Sequence, residues 1–160
     1  MAAIKETKVV PYSVEEMYEL VNRVENYQHF LPWCSKSDVH HRDEAEVKAS
    51  LTVAAMGFEK SFTTLNRLQH NKMIEVSLVE GPLEHLEGFW RFNHHGEKGD
   101  GCEILLDLRF EFSGGWMSMA FEPVFHQVAS TLMSAFCQHA DSLFANKAGN
   151  TVKQDSPDVS

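Results

Sequence analysis

The chain has 160 residues, 43% of them hydrophobic, with eleven Phe and three Trp. That is enough for one domain around a single core, which at this size needs neither metal nor disulfide to fold. The formal net charge of −9 comes from 14 basic and 23 acidic residues, and the basic ones stand singly (Lys36, Arg42, Lys48, Lys60, Arg67, Lys72, Arg91, Arg109). Nucleic-acid affinity rests on clustered Lys and Arg that displace counterions from phosphates, so DNA and bare RNA are not expected partners. No run approaches the roughly 18 apolar residues of a membrane span. The polar start, Met1 to Glu6, does not read as a signal peptide. A cytoplasmic location is expected, with at most peripheral contact at the inner membrane.

In chain order, Ala3 to Val10 reads as a first strand, ended by Pro11. Ser13-Val14-Glu15-Glu16 is a capping box, in which the Ser13 hydroxyl accepts from the Glu16 amide while the Glu16 carboxylate reaches back. Val14, Met17, Val21 and Val24 follow at 3-4-3 spacing, with Leu20 beside them, which predicts an amphipathic helix. Tyr27 to Cys34 (Tyr-Gln-His-Phe-Leu-Pro-Trp-Cys) combines bulky apolar side chains with a proline. It is expected to continue neither a helix nor a regular strand, so its apolar groups must plug a core or line a cavity.

From Ser37 to Phe112 the pattern is repeated strands. Val47, Ala49, Leu51, Val53 and Ala55 alternate with polar residues, and Met56-Gly57 turns the chain. Phe58 to Leu68 and Met73 to Val79 follow, the latter with Ile74, Val76 and Leu78 on one face. Gly81-Pro82 breaks the ladder. Leu86, Gly88, Trp90 and Phe92 share the next face, and His94 to Gly101 reads as a hairpin loop. The last strand sets Ile104, Leu106, Leu108, Phe110 and Phe112 against Glu103, Asp107, Arg109 and Glu111. Gly57, Gly81 and Gly88 are candidate bends.

After Ser113-Gly114-Gly115 a helical segment runs to about Ala145. Phe121, Phe125, Val128, Leu132, Phe136 and Leu143 fall near one face, with Met117, Val124, Met133 and Ala140 beside them. Pro123 marks either a kink or the first turn of the main helix. Residues 147–160 are polar and aperiodic and read as a disordered tail to a domain spanning 1–146. A half-apolar antiparallel sheet needs a cover, and this helix is the element large enough to supply it. The class is α+β: a curved antiparallel sheet of six or seven strands around a long C-terminal helix, with a short helix after the first strand.

Such a helix either packs solidly or leaves a pocket. The candidate lining is Phe30, Leu31, Trp33, Phe62, Leu78, Trp90, Leu106, Phe121, Phe125, Val128 and Leu132, and it suits a hydrophobic small molecule. The other reading of each residue is plain core. The Phe30-Leu31-Pro32-Trp33 segment, expected beside the glycine hinge at 113–115, marks an entrance or a partner surface. With about 0.8 kcal/mol per buried CH₂, one isoprene unit contributes roughly 3 kcal/mol gross, so two or three units offset the cost of association without any charge pairing.

The order and spacing of Val10-Pro11-Tyr12-Ser13, Tyr27-x-x-Phe30-Leu31-Pro32-Trp33-Cys34, Phe62-Thr63-Thr64-x-Asn66, Gly81-Pro82-Leu83-x-x-Leu86-x-Gly88-x-Trp90-x-Phe92, Cys102 and Phe110-Glu111-Phe112 resemble one family. It is that of the bacterial RatA proteins and the mitochondrial coenzyme-Q-binding START-domain proteins, within the polyketide cyclase/dehydrase-like superfamily. The likeness spans about residues 3 to 145. It departs at Leu65, where the family pattern carries a basic residue, and at Leu83 in place of Phe. The resemblance implies a START-like (helix-grip) fold without catalytic residues. It implies two functions: binding of ubiquinone or another prenylated lipid in support of respiratory electron transport, or a ribosome-association toxin that binds the large ribosomal subunit and blocks subunit joining. The −9 charge would place any ribosome contact on ribosomal proteins and leaves an uncharged quinone unaffected.

A third reading, a cyclase-like enzyme, finds little support in the motifs. The nine histidines fall as His40-His41 and His94-His95 in expected loops, or singly at 29, 70, 85, 126 and 139. They form no H-E-x-x-H, and neither a Cys–His zinc spacing nor G-x-S-x-G is present. Cys34, Cys102 and Cys137 are odd in number and far apart, so they read as buried thiols. Asp107 and Glu111 share a polar face with Arg109 and suit solvated cross-strand pairing. Glu122, beside Pro123, is the one carboxylate placed near the expected pocket. No cofactor and no metal is expected to be required.

Overall fold

The computed structural model describes residues 2–112 and 114–145, without the side chains of residues 116–118. Ser113, the side chain of Met117 and the polar tail 147–160 therefore lie outside the described residues. Seven strands are formed: β1 (Ala2–Val10), β2 (Cys34–Arg42), β3 (Glu46–Ala55), β4 (Phe58–Gln69), β5 (Met73–Glu80), β6 (Leu83–His95) and β7 (Gly101–Phe112). They pair antiparallel throughout in the order β1-β7-β6-β5-β4-β3-β2. Alternation sets the faces as expected: on β7, Ile104, Leu106, Leu108 and Phe110 are buried while Arg109 is exposed.

Two glycines carry specific geometry. Met56 (φ 53°) and Gly57 (φ 84°) form a two-residue hairpin turn between the paired Ala55 and Phe58, and positive φ at both positions matches strand twist. Gly88 sits mid-β6, opposite Leu108 and Val76. A Cβ there would stand 2.0 Å from the Asp107 carbonyl oxygen and 2.8 Å from Leu108 Cα. The backbone of β7 approaches closely at this point, and only glycine admits it.

Helix α1 (Val14–Asn22) follows β1. Its capping box is formed: Glu16 N–H donates to Ser13 Oγ at 3.0 Å, and Ser13 N–H to Glu16 Oε1 at 3.0 Å. A 3₁₀ turn at Val24–Asn26 leads into a one-turn helix, α2 (Tyr27–Phe30). The sequence expectation for this segment is thus corrected over its first half. The helix stops where it must, because Leu31, preceding Pro32, is extended at φ −91°, ψ 113°.

The long helix α3 (Trp116–Ala140) is continuous through Pro123 and ends in a wider π-type turn, Asp141–Ala145. Pro123 is therefore interior to one helix and does not open a second. The π-type turn also breaks the helical phase, so Leu143 is exposed and Phe144 packs against Tyr12 instead. Tyr12 Oη donates to Asp141 Oδ1, which, with burial, pushes the phenol up to about 12.

Three other expectations change. His94 and His95 belong to β6, paired with Cys102 and Gly101, so the hairpin loop is only residues 96–100. His40 and His41 likewise lie within β2; polar side chains on a wet face do not stop a ladder. Asp107, expected on a solvated face, is buried against β1 and β6, with Arg109 Nε 3.7 Å away.

Substituting Gly88 by Ala is expected to cost about 3 kcal/mol, at the upper end for overpacking. Urea denaturation of the purified variant measures this.

Candidate functional site

The cover helix carries two aromatic clusters with a window of smaller residues between them. Toward its start, Phe125 meets Phe110 at 5.0 Å, Phe112 at 5.7 Å and Phe62 at 5.8 Å between ring centroids. Toward its end, Phe136 meets Tyr27 and Trp90 at 5.1 Å and Phe30 at 5.3 Å. All of these are edge-to-face arrangements, the geometry that ring quadrupoles favour. Between the clusters α3 presents Val128, Ala129 and Leu132, and an interior cavity of about 80 Å³ lies there against the sheet. The aromatic rings hold helix and sheet apart, and the smaller side chains do not fill the separation.

Outside this cavity runs a groove of about 730 Å³. One wall is α3 from Val124 to His139; the other is Phe30, Pro32 and Trp33 with the Ala54-Ala55-Met56 end of the β3–β4 hairpin. Trp33 and Val128 belong to both spaces and form the partition between them. The 31–34 segment is held in place by its backbone. Ala54 N–H donates to the Trp33 carbonyl at 2.7 Å, and Cys34 N–H to that of Leu31 at 3.0 Å. Behind it, Tyr27 Oη donates to the Val21 carbonyl, and burial pushes that phenol up.

The structure sorts the sequence-derived lining into three groups. Trp33, Phe62, Trp90, Phe125, Val128 and Leu132 line the interior cavity, and Phe30 lines the groove. Leu31, Leu106 and Phe121 are buried in solid core, and Leu78 is half-buried against it; none of the four borders either space. Alternation identifies a face but not the depth along a strand, so Leu106 is replaced in the lining by Leu108, one pleat along the same face. Sequence reading also missed Thr64 and Asn66, polar residues in phase with Phe62 on β4. Their signal was present: two polar side chains on the apolar face of a strand. The glycines at 114 and 115 precede α3, whereas Phe30 stacks on His139 near its other end (3.8 Å, 7° between planes). The entrance segment is therefore not beside the glycine hinge.

The site is chemically quiet. Among the described residues Tyr27 is the one titratable group in the cavity lining. Glu122 is exposed on α3 and borders neither space. The three cysteines are buried free thiols; burial pushes each up, Cys102 to about 11, so they stay protonated at neutral pH. No group of three His, Cys, Asp or Glu that could hold a metal occurs among the described residues, and no helix there is long and apolar enough to cross a membrane.

A family model described as polyketide cyclase/dehydrase and lipid transport matches residues 10–137. The chain belongs to that family. Within it, the chain is 40% identical to the ribosome association toxin RatA of Pseudomonas aeruginosa, over 88% of this chain and 96% of that one. It is 28% identical to the mitochondrial coenzyme Q-binding protein COQ10 homolog B of Xenopus laevis, over 89% of this chain and 59% of that one. Among solved structures, the Zhui aromatase/cyclase from Streptomyces sp. R1128 superposes with a TM-score of 0.74 at 15% identity, covering 90% of this chain and 97% of that one. A START superfamily protein from Mycobacterium smegmatis gives 0.69 at 19%, covering 88% and 98%. These two likenesses show the fold alone. The architecture of this family member is START-like, as the sequence resemblance implied.

At the groove rim, burial lowers the pKa of His139 from its ordinary 6.5. The unfolded chain takes this proton more readily, so the contribution to stability is full above about pH 6.5 and is lost as pH falls through the lower folded value. His139→Gln is expected to flatten the acid-side decline in stability between about pH 8 and pH 5, read from denaturation midpoints across that range.

Proposed function

We propose that this protein is a non-enzymatic binder of a neutral, prenylated lipid of the ubiquinone class, acting in support of respiratory electron transport. The observation that carries the reading is a groove of about 730 Å³ that abuts an interior cavity through the shared side chains of Trp33 and Val128. The groove is apolar along its Phe30–Trp33 and Ala54–Met56 wall and mixed along α3, where Gln127, Ser130, Thr131, Ser134 and Gln138 lie among Val124, Val128 and Ala135. A pocket of this character binds by removing apolar surface from water, with few polar groups fixing orientation. The groove falls within the roughly 300–1,000 Å³ range of ligand sites, whereas the cavity alone does not. Met56, exposed at the hairpin tip in the groove wall, is a flexible side chain suited to packing against a chain of variable shape. A lining nearly free of titratable groups also favours binding over catalysis, since general acid–base work needs a positioned proton donor or acceptor.

A second reading rests on the relatives named ribosome association toxin, 37–40% identical in three of the bacterial cases. In it the protein binds the large ribosomal subunit through ribosomal proteins and blocks subunit joining. A surface contact of this kind and an occupied groove do not compete.

Mass spectrometry of solvent extracts from natively purified protein is expected to find a prenyl quinone, and added ubiquinone is expected to quench Trp fluorescence saturably at micromolar concentration. Ala135→Trp, which places an indole in the groove, should weaken that binding by about tenfold, the equivalent of displacing roughly two buried methylenes. An extract without lipid, together with no saturable quenching, would overturn the carrier reading. The ribosome reading expects co-sedimentation with large subunits in a low-salt sucrose gradient, unchanged by Ala135→Trp. Absence from that fraction removes it.

A further inference from the structure

The interior cavity is apolar except in one region. Thr64 and Asn66, alternate residues on the inner face of β4, both line it and are 7% exposed. Asn66 pairs in register with Val47 on one side and Val76 on the other, so an apolar residue would satisfy packing there at no desolvation cost. Thr64 Oγ1 donates to Asn66 Oδ1 at 3.1 Å. That bond engages the amide oxygen and orients the amide in the cavity lining. Trp33, in the partition between cavity and groove, adds a different case: its indole Nε1 is fully enclosed and has no hydrogen-bond partner among the described residues. Buried polar groups are partnered as a rule, and exceptions call for an explanation. One enclosed donor without an acceptor, on a residue shared by cavity and groove, and one amide in the cavity lining together suit an acceptor that enters from outside.

We propose that Asn66, held by Thr64, and Trp33 bind an acceptor oxygen on the head of the lipid, so that the head enters the interior and the apolar tail stays in the groove. This rests on the carrier reading above and adds an orientation and a selectivity to it. The interior space is about 80 Å³ against about 730 Å³ outside, smaller than a cavity that holds benzene, so the head enters only as the lining side chains give way. The chemistry narrows the head further. Neither Lys, Arg nor His lines the cavity among the described residues, so a carboxylate or phosphate head would enter without a counter-charge, at a prohibitive desolvation cost. A neutral carbonyl or ether oxygen meets two N–H donors and carries no such cost. The site selects uncharged, oxygen-bearing rings.

The test is titration calorimetry of the full chain with a short-chain alkyl benzoquinone and with the alkylbenzene of the same chain length. The wild type is expected to prefer the quinone by about tenfold. Asn66→Leu should lose that preference, with alkylbenzene affinity held within about twofold. Trp33→Phe, which removes the indole N–H and keeps an aromatic ring in the partition, should shift the preference the same way and decides the matter if Asn66→Leu does not fold. A wild type that binds both probes equally, or variants that keep the quinone preference, would overturn the head-recognition proposal and leave the carrier reading standing. A wild type that binds neither probe would overturn the head-recognition proposal, and the carrier reading falls with it only if solvent extracts also hold no lipid and ubiquinone gives no saturable quenching.

Discussion

One constraint organises this molecule: a seven-stranded sheet with an apolar concave face has a single long helix to cover it. Cover of this kind is set by side-chain size along the helix. Where α3 carries Phe125 and Phe136, rings interlock with Phe62, Phe110, Tyr27 and Trp90 and wall the two ends of the interior space. Where it carries Val128, Ala129 and Leu132, the same helix-to-sheet separation is left partly unfilled. Close packing is the norm for protein interiors, and a void forfeits the dispersion contacts of the atoms around it. Retaining one between two well-packed clusters is costly for stability alone, and it is the feature on which the binding proposal turns.

The frame around that void is rigid on the sheet side. The capping box starts α1, and the Tyr27 phenol is bonded to the Val21 carbonyl. The side-chain hydroxyl of Ser37 links the 3₁₀ turn to β2 by donating to the Glu25 carbonyl at 3.1 Å and accepting from Gln28 N–H at 3.2 Å. Arg42 adds an ion pair to Glu25 at 2.6 Å and a bond to the Asn22 carbonyl at 3.3 Å. These contacts hold the Phe30–Trp33 segment over the end of α3. The partition between groove and cavity, by contrast, consists of side chains, Trp33 and Val128, with no backbone ladder of its own.

Membership of the family and the START-like architecture do not by themselves distinguish binding from chemistry, since function resides in the site and not in the fold. What separates the readings here is the composition of the interior. Its polar content is Thr64, Asn66, the indole N–H of Trp33 and a Tyr27 phenol already bonded to backbone. Such groups suit the neutral guest proposed above.

The strand faces, the capped first helix, the long cover helix and the hairpin at Met56-Gly57 were legible in the sequence, because each is a local property. Alternation and 3.6-residue periodicity report which side of an element is apolar, and a cap or primed turn is written in two to four adjacent residues. The continuity of α3 through Pro123, the one-turn helix at Tyr27 and the exposure of Leu143 were not legible, because packing against other elements decided them. The same division runs through the site. Sequence determined that Trp33, Phe62, Trp90, Phe125, Val128 and Leu132 face inward; only the tertiary structure decided that they enclose a space, while Leu31, Leu106 and Phe121 fill one. Facing inward depends on a residue's own backbone phase, whereas bordering a cavity depends on the size of side chains contributed by β4, β6, β7 and α3 at the same depth, which no single stretch of chain contains.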